Sequence, residues 1–393
     1  MATNLQRRDF LLAAAIGAAA SAGAQPNIAG FEKAKDDPNA ARVWQPFSDK
    51  KLKVGIVGFG VCQFGAQFGF QNHPNVEVVA VSDLIPERCD GLAKACRCAK
   101  TYPSLEELVK DDSIEAVFVA TDAPSHGKHV MEVLKHGKHV ACAVPAVFGS
   151  LEEADAVYAA VKQSGLKYMM FETSAFHDDL TAMRALHRAG ALGELVYAEG
   201  EYYHYMSTPI DSYKGWRVGL PPQWYPTHSN AYHVCVAGGR FTEVSCQGMK
   251  CGIDQFQPGA NPYRNPFATE IALFRTSEGG AARMAVSWAT PGHEGEMGRI
   301  RATKGAYNGT WSAKLPDGLD LRKPALPPGV EAGGHGGSHG HLCNEFVQAC
   351  LLDRQPLVDI AWALNMTVGG IVAHQSALRD GELLKIPAYS WPA

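Results

Sequence analysis

Five short apolar runs recur along the first half of the chain: LKVGIVGFG, VEVVAVSD, IEAVFVAT, HVACAV and KYMMFE. Each is rich in Val or other bulky apolar residues, and a helical stretch separates each from the next. Two of those stretches open on S-x-x-E capping boxes, Ser104 with Glu107 and Ser150 with Glu153. Strands that are apolar throughout, rather than alternating, are buried on both faces. The pattern therefore predicts a doubly wound parallel sheet, an α/β domain over residues 51–172. Beyond it the pattern changes. ELVYAEGEYYHY, TEVSCQGMKCG, EIALFRTS and AARMAVSWAT are longer, partly alternating and spaced by turns, as in a largely antiparallel open sheet. Helical patterns frame them: DDLTAMRALHRAG before, HLCNEFVQACLLD and DIAWALNMTVGGIVAHQSAL after. Residues 173–393 thus read as a second α/β domain. Residues 25–50 hold no sustained period and read as an extended arm.

The first 24 residues belong to neither domain. Arg7 and Arg8 precede an Ala-rich, weakly apolar run that ends in Ala22-Gly23-Ala24. That is the form of a twin-arginine export signal with an A-x-A cleavage site, and it predicts a periplasmic or extracellular protein exported already folded. The run is too short and too Ala-rich for a comfortable membrane span, so no stable membrane association is expected after cleavage; the other reading is an uncleaved anchor. The ten cysteines are scattered, without C-x-x-C spacing, and read as small buried hydrophobes. A formal net charge of −4 gives no basic footprint for nucleic acid.

The first strand runs into GFGVCQFG. Gly58, Phe59 and Gly60 begin a G-x-G-x-x-G turn between strand and helix, where backbone approaches a pyrophosphate at the helix N-terminus. The third position holds Gln63, with Gly65 two residues on, so the fingerprint is imperfect. Asp83, at the end of the second strand, would accept from the ribose hydroxyls of NAD and repel the 2′-phosphate of NADP. Thr121 and His126, in ATDAPSHGKHV, fall beside the same crevice; His126 reads equally as a cofactor contact or as a helix-start residue.

The order GxG, Asp83, ATDAPSH, GKHV and a strand closed by Pro145 resembles the Gfo/Idh/MocA oxidoreductase family. RAGALGELVYAEGEYYHY and the Trp216-Arg217 pair extend the similarity over about residues 51–387. The resemblance implies bound NAD, a sugar or cyclitol substrate, and an open C-terminal sheet that serves homo-oligomerisation. It also implies cofactor contacts from Gly58, Phe59, Gly60, Asp83, Thr121, His126 and Pro145, and substrate contacts from Trp216 and Arg217. Two departures are informative. The family's E-K-P, source of its catalytic Lys, stands here as Ala143-Val144-Pro145. Its D-x-x-x-H stands as Ser229 to His233, with the Asp gone. A dehydrogenase needs a group to take the hydroxyl proton, and Val144 cannot. WYPTHSNAYH offers Tyr225, His228 and His233 as replacements; as the bland alternative these are satisfied structural side chains. YPTH and the GGHGG at 333–337 are similar to the family's NAD-dependent glycosidase branch, which oxidises a sugar hydroxyl, eliminates the aglycone, adds water and returns the hydride. Free NAD is scarce outside the cytoplasm, so tightly held NAD and a redox-neutral cycle are expected. A net sugar dehydrogenase and a non-catalytic sugar-binding protein stand as rivals. His335, His339 and His341 are expected to form a Gly-rich lid rather than a metal site. Of YYHYM, Tyr203 and Tyr205 fall on one strand face and Tyr202 and His204 on the other, read mainly as core or interface.

Overall fold

The computed structural model describes residues 43–391, so the export signal and residues 25–42 of the arm lie outside the described residues. Residues 43–50 lie against the first domain, where the Asn75 amide donates to the carbonyls of Ser48 (2.7 Å) and Lys50 (2.8 Å).

Six strands form the first sheet: β1 (Leu52–Val57), β2 (Val76–Ser82), β3 (Thr101–Tyr102), β4 (Ala116–Val119), β5 (His139–Cys142) and β6 (Tyr168–Met170). All pair in parallel, in the order β3-β2-β1-β4-β5-β6. The strands are apolar throughout because helices cover them: α1 (Phe64–Gln67), α2 (Pro86–Cys96), α3 (Leu105–Leu108), α4 (His126–Lys135) and α5 (Leu151–Ser164). Both capping boxes form on the Ser side, with Ser104 accepting from the Glu107 amide at 3.4 Å and Ser150 from that of Glu153 at 3.1 Å. The strand order reverses between β1 and β4, which opens a crevice at their carboxyl ends.

The second domain begins with α6 (Asp178–Arg188), β7 (Leu195–Tyr203) and α7 (Thr227–Ala237). It continues with β8 (Phe241–Met249), β9 (Thr269–Thr276), β10 (Ala281–Ser287), β11 (Gly295–Ala302), β12 (Gly305–Tyr307) and β13 (Trp311–Ala313). It ends with α8 (Gly334–Gly337), α9 (His339–Leu351), α10 (Ile360–Ala377) and β14 (Leu384–Lys385). The sheet order is β13-β12-β11-β7-β10-β9-β8-β14, antiparallel except where β10 runs parallel to β7. Helices α7 and α10 cover one face. On the other, Leu273 (59%) and Met297 (38%) stay exposed beside a Glu199–Arg283–Arg299 ion-pair network.

Strands β11 to β13 escape the sequence pattern because GEMGRIRA carries Arg299 and Arg301 on that uncovered face and a buried Glu296 on the other. WYPTHSNAYH, to which the hydrophobic pattern assigns no element, is mostly the helix α7. Every residue from Thr227 to Val236 is buried, so no amphipathic stripe marks it. It lies so close to β7 that a side chain at Gly200 would collide with the Ser229 carbonyl. Two of its buried polar side chains bond backbone: Ser229 donates to the Pro226 carbonyl (2.9 Å) and Asn230 to that of Met366 (2.7 Å). No helix among the described residues is long and apolar enough to cross a membrane.

Candidate functional site

A cavity of about 340 Å³ runs from the crevice of the first sheet to the start of α7. Its first wall is the glycine turn. Gly58 has φ +98°, and a side chain there would collide with the Ala120 carbonyl; at Gly60 (φ +59°) a side chain would meet open space. A side chain at Gly65 would collide with the Gly58 carbonyl, so Gly65 supplies the close helix-to-strand approach of the fingerprint's third glycine. This accounts for Gln63 at the nominal third position. The carboxylate of Asp83 accepts from the Phe59 amide (2.8 Å) and from the Ile85 amide (2.9 Å), tying the turn to the end of β2. Gly58, Phe59, Gly60, Asp83 and Thr121 all line the cavity, as do Ala143 and Val144 past the end of β5. A glycine turn, a carboxylate at the second strand and an apolar wall suit a dinucleotide. Asp83→Ala is expected to weaken NAD affinity about 10-fold or more, the worth of a hydrogen bond to a charged group, and to narrow the preference over NADP; calorimetric titration with each dinucleotide measures both.

Two expected cofactor contacts lie differently. Pro145 is buried and does not line the cavity; its carbonyl accepts from His126 Nδ1 at 2.8 Å. His126 does line the cavity, but its Nε2 lies 3.2 Å from the Thr121 carbonyl. Burial pushes the pKa of His126 down, and the ring braces the β4 loop against the β5 loop.

The opposite wall carries ionisable groups. Trp216, Arg217, Tyr225 and His228 line it, with Tyr202, His204 and His335 beside them. The Arg217 guanidinium sits 4.2 Å from the Trp216 ring centroid and 5.7 Å from that of Tyr225. Burial raises the Tyr225 pKa and Arg217 partly offsets that, so the phenol stays a proton donor.

His228 is the centre of this wall. Its Nδ1 donates to Glu172 Oε1 at 2.8 Å, with Glu296 Oε1 at 3.5 Å and Thr173 Oγ1 at 3.3 Å. Nε2 is left as the nitrogen available toward the cleft. Burial opposes charge on the ring, but the two carboxylates outweigh it and push the pKa up to about 9. Burial would likewise raise both carboxyls; the His228 charge instead holds Glu172 and Glu296 below the ordinary range. Glu296 also faces His177, at 3.2 Å, and accepts from Ser174. The Glu172, His228 and Glu296 ligand atoms lie within 4.8 Å of one another, a spacing that a cation could also bridge.

The structure does not bring His233 to this cleft. Five residues along a helix rotate a side chain by about 140° relative to His228. His233 instead packs on Phe241 and faces Glu278 at 3.3 Å. The glycine-rich segment is a buried support rather than a loose lid. His335 Nδ1 lies 2.9 Å from His339 Nε2, while His341 stacks on Phe176. Tyr202 and His204, read mainly as core, turn into the cleft, with Tyr202 edge-on to His228 at 4.6 Å. Sequence reasoning missed Glu172 and Glu296. The signal for Glu172 was present, a single carboxylate just past an apolar strand at the binding edge of a parallel sheet; Glu296, in an unrecognised strand, had none.

Fold and cleft together define a two-domain protein whose first domain has the form of a Rossmann domain. Residues 52–172 match the model described as the oxidoreductase family with an NAD-binding Rossmann fold. It is 30% identical to glycosyl hydrolase family 109 protein 1 of Bacteroides thetaiotaomicron over 164 residues, 39% of this chain and 34% of that protein. The match thus spans about a third of the length of such relatives. A glycosyl hydrolase family 109 protein of Solibacter usitatus is 23% identical over 98% of this chain and 97% of its own. A levoglucosan dehydrogenase solved with NADH and levoglucosan shares the fold, with a TM-score of 0.69 and 16% identity over 86% of this chain and all of that one.

Proposed function

We propose that this protein binds NAD in the cleft and oxidises a hydroxyl-bearing ring carbon of a carbohydrate, with His228 as the proton carrier. The observation that carries the reading is the Glu172–His228 pair set across one cavity from Gly58, Asp83 and Val144. When bound, NAD supplies the hydride acceptor. The chain's own residues do the rest. Ala143 and Val144 offer an apolar face and no proton. His228 Nε2, once neutral, accepts the hydroxyl proton, while Glu172 fixes the ring through Nδ1–H. Arg217 orients substrate oxygens, and Tyr225 donates the second proton where a leaving group departs.

The oxidation is transient and is reversed before product leaves, so turnover is redox-neutral and cleaves a glycoside. This rests on the glycosyl hydrolase relatives, on the twin-arginine pattern at Arg7-Arg8 and on the scarcity of exchangeable NAD in the periplasm, where we place the protein. The cofactor is held tightly as NAD, and the uncovered sheet face around Leu273 and Met297 joins copies of the chain. Turnover in deuterated water tests the cycle. A redox-neutral route with elimination exchanges the hydrogen beside the transient ketone for deuterium and needs no added NAD. Stoichiometric consumption of added NAD without that exchange would replace it with a net dehydrogenase.

A further inference from the structure

A second cavity opens on the far side of Glu296. It measures about 550 Å³ and is lined by His177, Asp178 and Asp179 at the start of α6, Tyr232 of α7, Glu296, and the rings of Tyr307 and Trp311 on the β12–β13 hairpin. Glu296 is the partition. Its Oε1 faces His228 and His335 of the cleft, and its Oε2 faces His177 of this cavity.

We propose that this cavity is a separate binding site for a neutral sugar ring. Three features favour that chemistry. The Tyr307 and Trp311 rings are half-exposed, with centroids 4.7 Å apart, and offer the flat apolar surface on which the C–H face of a pyranose stacks. Asp179 and Glu296 place carboxylates around the same space as acceptors for ligand hydroxyls, with Asp178 paired to Lys323 at 2.8 Å beside them. Among the described residues, the Tyr232 hydroxyl, on a ring buried at 0% exposure, reaches only the Glu296 carbonyl at 3.4 Å and His177 Nδ1 at 3.5 Å. These contacts are long for a buried phenol, so its bonding capacity is only weakly used. A purely apolar ligand would strip water from the carboxylates without replacing it. The site is distinct from the dinucleotide cleft and does not depend on the activity assigned to that cleft.

The experiment is saturation-transfer NMR and calorimetry on the purified protein with methyl β-glucoside, cellobiose, maltose and glucosamine as probes. At least one neutral probe is expected to bind, and Trp311→Ala to weaken it about 5-fold, the scale of one aromatic contact. Asp179→Asn is expected to weaken it about 3-fold or more, as a charge-assisted hydrogen bond becomes a neutral one. NAD affinity stays unchanged in both variants, which separates this site from the cleft and reports on folding. Undiminished sugar binding by Trp311→Ala overturns the proposal. So does binding of glucosamine alone, which would mark a cation site, and so does no binding of any probe.

Discussion

Replacing His228 with alanine is expected to cut turnover by about 10²–10⁴-fold, the usual worth of a positioned acid/base group. The bound dinucleotide should remain in place. The expectation follows from position: the ring sits in the same cavity as the glycine turn, while the residue at the family's lysine position is Val144. Cavity formation and loss of the Glu172 partner will lower stability, so the variant is best compared by melting temperature and dinucleotide content as well as rate. His233→Ala provides the contrast. It also empties a buried imidazole site, but one packed on Phe241 away from the cleft, and it should leave the chemical step nearly unchanged once folded.

Glu172→Gln is expected to lower turnover by about 10–100-fold, as for a partner that orients a reacting group, and to move the pH profile. In the intact protein His228 is pushed up to about 9 by Glu172 and Glu296 against burial, with Arg217 pulling the other way and Thr173 and Tyr202 uncharged. Accepting a proton requires the neutral ring. The kcat/KM for oxidation should therefore rise with pH through neutrality and level off near 9. Removing the Glu172 charge lowers the His228 pKa, so the rising limb shifts to lower pH. A variant with an unmoved limb would mean that another group titrates. Stability follows the same linkage. The folded-state pKa of His228 lies above its ordinary 6.5, so its contribution is complete below 6.5 and is lost as pH rises through about 9. Glu172 and Glu296 have depressed values, so their contribution holds above the ordinary 4.5 and is lost as pH falls. Melting temperature should thus be highest between 4.5 and 6.5 and fall on both sides of that window.

What could be read from the sequence follows from how each element is buried. The strands of the first sheet are sandwiched between helices, so their apolar runs announce them, and Gly58 and Asp83 sit where such a sheet places a dinucleotide. The helix α7 is enclosed on all sides and carries His228, Ser229, Asn230 and His233 in one run; without an amphipathic stripe, its face toward the cleft could not be chosen. That is why His228 and His233 stood as equals until helix geometry separated them. The Glu172–His228–Glu296 group joins residues 56 and 68 positions apart through the packing of β6, α7 and β11, and no local pattern encodes it. The imperfect fingerprint, by contrast, was legible once Gly65 was seen to do the third glycine's work.

The central claim is that a sugar gives hydride to a dinucleotide held in this cleft. It is tested most directly by mixing the purified protein with glycosides deuterated at their ring carbons, quenching within one turnover, and analysing the released dinucleotide by mass spectrometry. The account predicts NAD in the protein, deuterium in the reduced nicotinamide with at least one sugar, and no deuterium with His228→Ala. Deuterium-free nicotinamide with every sugar, from protein shown to carry NAD, would contradict it.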